Sequence, residues 1–124
     1  MRPNAKADAI RAEKILKYIV DIKDCFEHFS IKSYNDLKSK RLAQLAVTQI
    51  ITSIYELKKN ITPDALTLLP EFNKIKIAGA RNIASHDYER INFKIIYDIC
   101  DMLIRASVVE ELEEVISHAG SDKS

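Results

Sequence analysis

The chain reads ILKYIVDIKDCFEHF over residues 15–29, and this stretch decides the predicted fold. Its apolar side chains recur every three or four residues, which is the spacing of one face of an α-helix. Charged residues occupy the other faces. We therefore predict a helix from about Ala5 to Phe29 that buries one stripe against other helices. The stripe consists of Ile15, Leu16, Ile19, Ile22, Phe26 and Phe29.

Three more principal helices are predicted, with one short helical turn among them. The second helix is expected from Tyr34 or Leu37 to Asn60, because Ser33-x-x-Asp36 has the form of a helix N-terminus. Thr62 and Pro63 predict a short turn of helix that ends before Pro70. The third helix is expected over residues 71–85 and the fourth over residues 93–118. The apolar stripe of the second helix consists of Val47, Ile50, Ile51, Ile54, Leu57 and Ile61. The stripe of the third helix consists of Phe72, Ile75, Gly79 and Ile83. Asn92 is the predicted cap of the fourth helix, whose stripe consists of Ile95, Ile96, Ile99, Met102, Leu103, Ala106, Val109, Leu112 and Ile116.

The composition favours one all-α domain. The chain has 124 residues, of which 47% are hydrophobic and 30% charged, with only 2 Gly and 3 Pro. So few chain-breaking residues leave little material for the many tight turns of a β-sandwich or barrel, and they favour long helices. We predict a single up-and-down bundle of four to five helices over residues 1–119, followed by a disordered tail over residues 120–124.

Targeting and redox signals are weak. No stretch approaches the length of a membrane span, and residues 1–8 lack the apolar segment of a secretory signal. We therefore expect a cytoplasmic protein that does not contact a membrane. Cys25 and Cys100 are isolated in the sequence, so we expect reduced, partly buried side chains rather than a disulfide or a zinc site.

The net charge of +1 excludes a strongly basic nucleic-acid binder, but the charge is unevenly distributed. Residues 1–60 carry 12 Lys and Arg against 7 Asp and Glu, whereas residues 61–124 carry 7 against 11. One basic cluster is Lys58 and Lys59, and another consists of Lys38, Lys40 and Arg41. Both fit a solvated face, and both also fit a surface that attracts RNA with a strong dependence on salt.

The segment with candidate chemistry reads GARNIASHDYER over residues 79–90. His86 would take the proton of a ribose 2′-hydroxyl, and Arg81 would stabilise the charge that develops on the phosphoryl oxygens. These two residues lie about 140° apart around a helix. They converge if the arginine wraps round, if the helix ends near Ser85, or if two copies of the segment meet. The same residues also fit a polar helix C-terminus where a histidine is favourable.

The string RNIASHDY, residues 81–88, resembles the R-x4-H-x-Y signature of HEPN-domain proteins, and more narrowly the HepT-like toxins of HEPN/MNT toxin–antitoxin pairs. The resemblance implies a homodimer of HEPN-type bundles that cleaves RNA without a metal, with Arg81 and His86 as the catalytic pair. Asn82 matches the polar residue beside the arginine, and we assign Ser85 a supporting role. Tyr88 matches the tyrosine that a cognate nucleotidyltransferase modifies with AMP, which silences the toxin.

The leading hypothesis is therefore an endoribonuclease toxin whose partners are RNA, a nucleotidyltransferase antitoxin of the MNT type and a second copy of the chain. Two other functions remain open on the sequence alone. One is a non-catalytic HEPN module that binds a separate nucleotidyltransferase and is modified by it, and the other is a helical homodimer with a structural role. The sequence has no metal-ligand set and no Gly-rich phosphate loop, so neither a metal nor a cofactor is predicted.

Overall fold

A computed structural model describes residues 4–77 and 91–121 of the chain. Within these two ranges every regular element is a helix and no strand occurs, which confirms the all-α prediction. The elements are α1 (Ala5–His28), α2 (Tyr34–Lys38), α3 (Arg41–Lys58), α4 (Pro63–Leu66), α5 (Pro70–Asn73), α6 (Phe93–Leu103) and α7 (Ala106–Ser121).

Helix α1 is the central element of the bundle. It packs against α7 and against α3, while α2 packs against α6 and α3, and α5 packs against α7. The predicted stripe of α1 faces this core, because Ile15, Ile19 and Ile22 are fully buried. The other stripe residues, Leu16, Phe26 and Phe29, are partly buried and pack around the edge of the core. No helix in the described ranges is long and apolar enough to cross a membrane.

The predicted second helix is interrupted, so its prediction as one continuous element is wrong. Helix α2 ends at Lys38 and α3 begins at Arg41. The buried Gln44 amide donates hydrogen bonds of 2.9 Å to the carbonyl oxygens of Leu37 and Lys38. The Leu37 carbonyl also accepts a 3.2 Å hydrogen bond from the Lys40 N–H, so backbone and side-chain donors together serve the carbonyl groups at the end of α2. The start near Ser33 is confirmed, although the Asp36 carboxylate there accepts a 2.8 Å hydrogen bond from the Lys32 backbone N–H.

The turn after α3 begins as predicted. Thr62 is the N-cap of α4, and its hydroxyl oxygen accepts a hydrogen bond of 3.4 Å from the Ala65 N–H. Pro63 occupies the first turn, where its missing N–H has no cost. Helix α4 ends at Leu66, slightly earlier than the predicted end at Leu69.

The predicted third helix over residues 71–85 is also interrupted. Helix α5 begins at Pro70 and ends at Asn73, and residues 74–76 are not helical before the chain becomes helical again at Ile77. The Lys58 ammonium donates to the carbonyl oxygens of Asn73 and Ile75, which stabilises this interruption from outside the segment. Residues 78–85 of the prediction, including Gly79 and Ile83, lie outside the described residues.

The predicted fourth helix consists of two helices, α6 and α7, separated at Ile104 and Arg105. The cap at Asn92 is confirmed, because its side-chain oxygen accepts hydrogen bonds from the Lys94 and Ile95 N–H groups at 3.0 and 3.4 Å.

The interruption between α6 and α7 changes which residues of α7 face the core. Its core residues are Val108, Leu112, Val115 and Ala119, whereas the predicted Val109 and Ile116 are only partly buried, and Ile95 of α6 is exposed.

The last helix ends at Ser121, slightly beyond the predicted end at residue 118. The disordered tail over residues 120–124 stays a prediction, and residues 122–124 lie outside the described ranges. The two cysteines were predicted to be partly buried, and Cys25 is partly buried whereas Cys100 is fully buried.

Candidate functional site

The predicted site residues all lie outside the described ranges. These residues are Arg81, Asn82, Ser85, His86 and Tyr88. The residues on either side of their segment are described. Ile77, directly before it, is 1% exposed, and Ile91, directly after it, is 8% exposed. Both belong to the same buried hydrophobic cluster, so the chain lies in the core of the bundle directly before and directly after the segment with the motif.

A cleft of about 530 Å³ opens beside the point where the chain enters the motif segment. Ile61, Ile75 and Ile77 contribute its buried apolar part. The end of α3 and the residues around α5 supply the other walls. The remaining described lining residues are Tyr55, Lys58, Lys59, Leu66, Asn73 and Lys76. No carboxylate occurs among the described residues that line this cleft.

Lys58 is held in a fixed position at this cleft. Its ammonium donates hydrogen bonds of 3.0 Å to the Asn73 carbonyl and 2.9 Å to the Ile75 carbonyl, and it lies 5.3 Å from the centre of the Phe72 ring. Burial lowers the pKa of this ammonium, since a charge is less stable away from water. Its role is to join α3 to the chain that leads from α5 into the motif segment.

Lys59 and Lys76 are the exposed cations of the cleft. The Lys59 ammonium lies 2.6 Å from the Glu56 carboxylate and 5.8 Å from the centre of the Tyr55 ring. Its side chain remains 48% exposed. An exposed ion pair of this kind is weak, so the lysine remains available to a stronger anionic partner. The cleft therefore combines positive charge at its edge with an apolar interior.

A second, smaller cleft of about 260 Å³ lies near the point where the chain leaves the motif segment. Its charges are mixed. The Lys94 ammonium donates a 2.9 Å hydrogen bond to the Asp98 carboxylate, which raises the pKa of that lysine. Asp101 lines the same cleft, and the Tyr97 hydroxyl donates to the Lys32 carbonyl at 3.3 Å. Because its acidic and basic groups offset one another, this cleft is less suited to a polyanion than the first.

The acidic side of α7 has a structural role at one position. The Glu111 carboxylate accepts hydrogen bonds of 2.9 Å from the backbone N–H groups of Glu71 and Phe72, at the start of α5. A carboxylate at a helix N-terminus is favourable, because it satisfies N–H groups that have no helical partner. Among the residues that the structure describes, no group of three or more His, Cys, Asp or Glu side chains is arranged to hold a metal ion.

Comparison with models of known protein families assigns the helical bundle to one family. The model of one family, described as ribonuclease HepT-like, matches residues 15–119. The chain belongs to the HepT-like ribonuclease family. The match begins within α1, ends at residue 119 within α7 and includes the whole of segment 78–90, so the HepT-like assignment covers most of the helical bundle together with the motif. The bundle is therefore of the HEPN type, as predicted. Comparisons with curated proteins and with solved structures found no match.

The sequence predicts only part of the cleft beside Ile77. Lys58 and Lys59 formed a predicted basic cluster, for which a solvated face and an RNA-attracting surface both remained open. The structure separates their roles, because Lys58 is half-buried and Lys59 is exposed. Lys76 was not singled out. It is distant from Lys58 along the chain, and only the return of the chain after α5 brings both to one cleft.

Proposed function

We propose that this HepT-like chain is a metal-independent endoribonuclease and the toxin component of a HEPN/MNT toxin–antitoxin pair. The observation that supports this proposal is the family match over residues 15–119, which includes the complete Arg81-x4-His86-x-Tyr88 pattern. Histidine and arginine together supply proton transfer and charge neutralisation, which are the two requirements for cleaving RNA by its own 2′-hydroxyl.

In the proposed reaction, His86 removes the proton from a ribose 2′-hydroxyl. The resulting oxygen attacks the adjacent phosphorus, and the bond from phosphorus to the 5′-oxygen breaks. Arg81 stabilises the charge on the phosphoryl oxygens, and Asn82 and Ser85 support the pair through hydrogen bonds. A protonated histidine returns a proton to the leaving 5′-oxygen. The products are a 2′,3′-cyclic phosphate and a 5′-hydroxyl, so no metal-bound water is needed.

A homodimer would complete this mechanism, because two copies of the motif can supply the base and the acid separately. His86 of one copy would act as the base, while the same residue of the second copy would act as the acid. Arg81 of one copy could then lie beside His86 of the other, although these two residues of a single copy lie about 140° apart on an ideal helix. Tyr88 is the proposed site at which a nucleotidyltransferase of the MNT type adds AMP and silences the nuclease.

The test is cleavage of single-stranded RNA by purified protein in the presence of EDTA. We expect the wild type to cleave RNA, and both Arg81→Ala and His86→Ala to lower the rate by about 10²- to 10⁴-fold. Lys14→Ala, an exposed change on α1, is the matched control and should cleave at the wild-type rate. RNA left equally intact by the wild type and by His86→Ala contradicts the nuclease assignment.

Mass spectrometry of the chain co-expressed with a nucleotidyltransferase encoded beside it tests the regulatory part. We expect Tyr88 to gain the mass of an added AMP group, and we expect the Tyr88→Phe variant to gain none. Modified protein should not cleave RNA. Modification of Tyr88 in a chain that never cleaves RNA would support the alternative of a non-catalytic HEPN module.

A further inference from the structure

The cleft beside Ile77 has the size and composition of a ligand site. Its volume of about 530 Å³ falls within the range of about 300–1,000 Å³ that small-molecule sites occupy. An apolar interior formed by Ile61, Ile75 and Ile77 lies below a basic edge. Such a combination suits a ligand with one flat apolar part and one anionic part.

The basic edge is suited to phosphate. Lys59 and Lys76 are exposed at the cleft, and no described lining residue is acidic. A phosphate can displace the Glu56 carboxylate from Lys59, because that ion pair is solvent-exposed and therefore contributes little. Lys58 is not available to a phosphate in the same way, because its ammonium already donates hydrogen bonds to two carbonyl oxygens.

The interior of the cleft is suited to a nucleobase. Proteins that bind single-stranded nucleic acid combine a positive groove with apolar and aromatic surfaces on which the bases stack. Tyr55 supplies an aromatic wall, and the buried isoleucines supply the apolar surface. A peptide of acidic residues alone would use the lysines but would leave this apolar interior unfilled, whereas a nucleotide carries both a phosphate and a flat base.

The position of the cleft links it to the motif. Ile77 lines the cleft and is followed directly by the segment that carries Arg81 and His86. We propose that this cleft binds one nucleotide of the RNA substrate next to the scissile phosphate, with Lys59 and Lys76 holding its phosphate and the apolar interior receiving its base. This inference rests on the proposed ribonuclease function, because that function makes RNA the ligand.

Binding of a fluorescent single-stranded RNA oligonucleotide to the His86→Ala protein tests the proposal without cleavage. We expect Lys59→Ala and Lys76→Ala each to weaken binding by about three- to tenfold, with a larger loss in the double variant. Each should also reduce the slope of log affinity against log salt by about 0.7, the value for one phosphate contact with a single strand. Lys14→Ala in the same background is the control and should bind like its parent.

Two further outcomes separate this inference from the proposed function. If the wild type fails to cleave RNA but the protein binds RNA through Lys59 and Lys76, the nuclease assignment fails and the nucleotide site stands. If the double variant binds and cleaves RNA as the wild type does, the nucleotide site is disproved and the nuclease assignment stands. Displacement of the RNA by an equal concentration of poly-glutamate would also disprove the site, because it would show that charge alone determines binding.

Discussion

The carboxylate of Asp8 accepts a hydrogen bond of 2.6 Å from the hydroxyl group of Thr62, which lies 54 residues further along the chain. The other oxygen of this carboxylate accepts a hydrogen bond of 3.0 Å from the Thr62 backbone N–H. Asp8 is fully buried, and the Arg11 guanidinium lies 4.0 Å from it. One acidic side chain in the first turn of α1 therefore fixes the start of α4, and with it the approach to the candidate cleft.

We expect Asp8→Ala to lower the free energy of unfolding by about 2 kcal/mol, because it leaves the Thr62 N–H and hydroxyl without their buried acceptor. Urea denaturation of the purified protein measures this change through its midpoint. Asp21→Ala removes the same side chain from an exposed position of α1 and should change the midpoint little. Equal midpoints for the two variants would contradict the anchoring role of Asp8.

Glu111 is expected to stabilise the fold through α5. Glu111→Gln replaces a charged acceptor of two N–H groups with an amide that retains one acceptor oxygen. The loss should be about 1 kcal/mol, which is typical when a helix N-terminus loses a capping acceptor. Thermal unfolding provides the measurement, and Glu113→Gln, exposed on the same helix, is the matched control. A lower midpoint for Glu113→Gln than for Glu111→Gln would refute this assignment.

Local periodicity was sufficient to predict the helices but not their interruptions. The stripe of α1 and the caps at Thr62 and Asn92 depend on neighbouring residues, so the sequence predicts them directly. The interruptions after α2 and α5 contain no glycine, and the proline at the start of α5 does not explain its end at Asn73. Lys58 supplies hydrogen bonds there from 15 and 17 residues away, which a local pattern does not report.

The candidate site, like the fold, could be predicted only in part from the sequence. The motif of Arg81 and His86 is contiguous in sequence and could be identified from its spacing and its resemblance to the family. The cleft next to it could not, because Tyr55 and Lys59 come from the end of α3 while Lys76 follows α5. The homodimer and the convergence of Arg81 and His86 stay predictions.

Lys58 is expected to make the stability of the protein rise at alkaline pH. Burial lowers the pKa of its ammonium below the ordinary value of 10.5. Between the folded-state pKa and 10.5 the unfolded chain binds the proton more tightly, so a rise in pH through this window favours the folded state. Below the folded-state pKa the cost of burying the charge is present in full.

This prediction is checked by urea denaturation of the wild type and of Lys58→Met at several pH values between neutrality and 10.5. The wild-type free energy of unfolding should increase relative to that of the variant as the pH rises. Lys14→Met carries the same change at an exposed position and should track the wild type throughout. A wild-type free energy of unfolding that stays constant or falls relative to that of Lys58→Met as the pH rises would show that Lys58 is not desolvated.

The two thiols are expected to react slowly in the folded protein. Burial raises the pKa of both Cys25 and Cys100, and the effect is larger for the fully buried Cys100. The thiolate is the reactive form, so a raised pKa and restricted access both slow attack on a disulfide reagent.

In native buffer Cys100 should react only as the protein unfolds, and Cys25 should react more slowly than a free thiol. A Cys25→Ser variant isolates Cys100, and denaturation in urea provides the control in which all thiols react. Rapid labelling of folded Cys25→Ser would mean that the core between α1 and α6 opens readily.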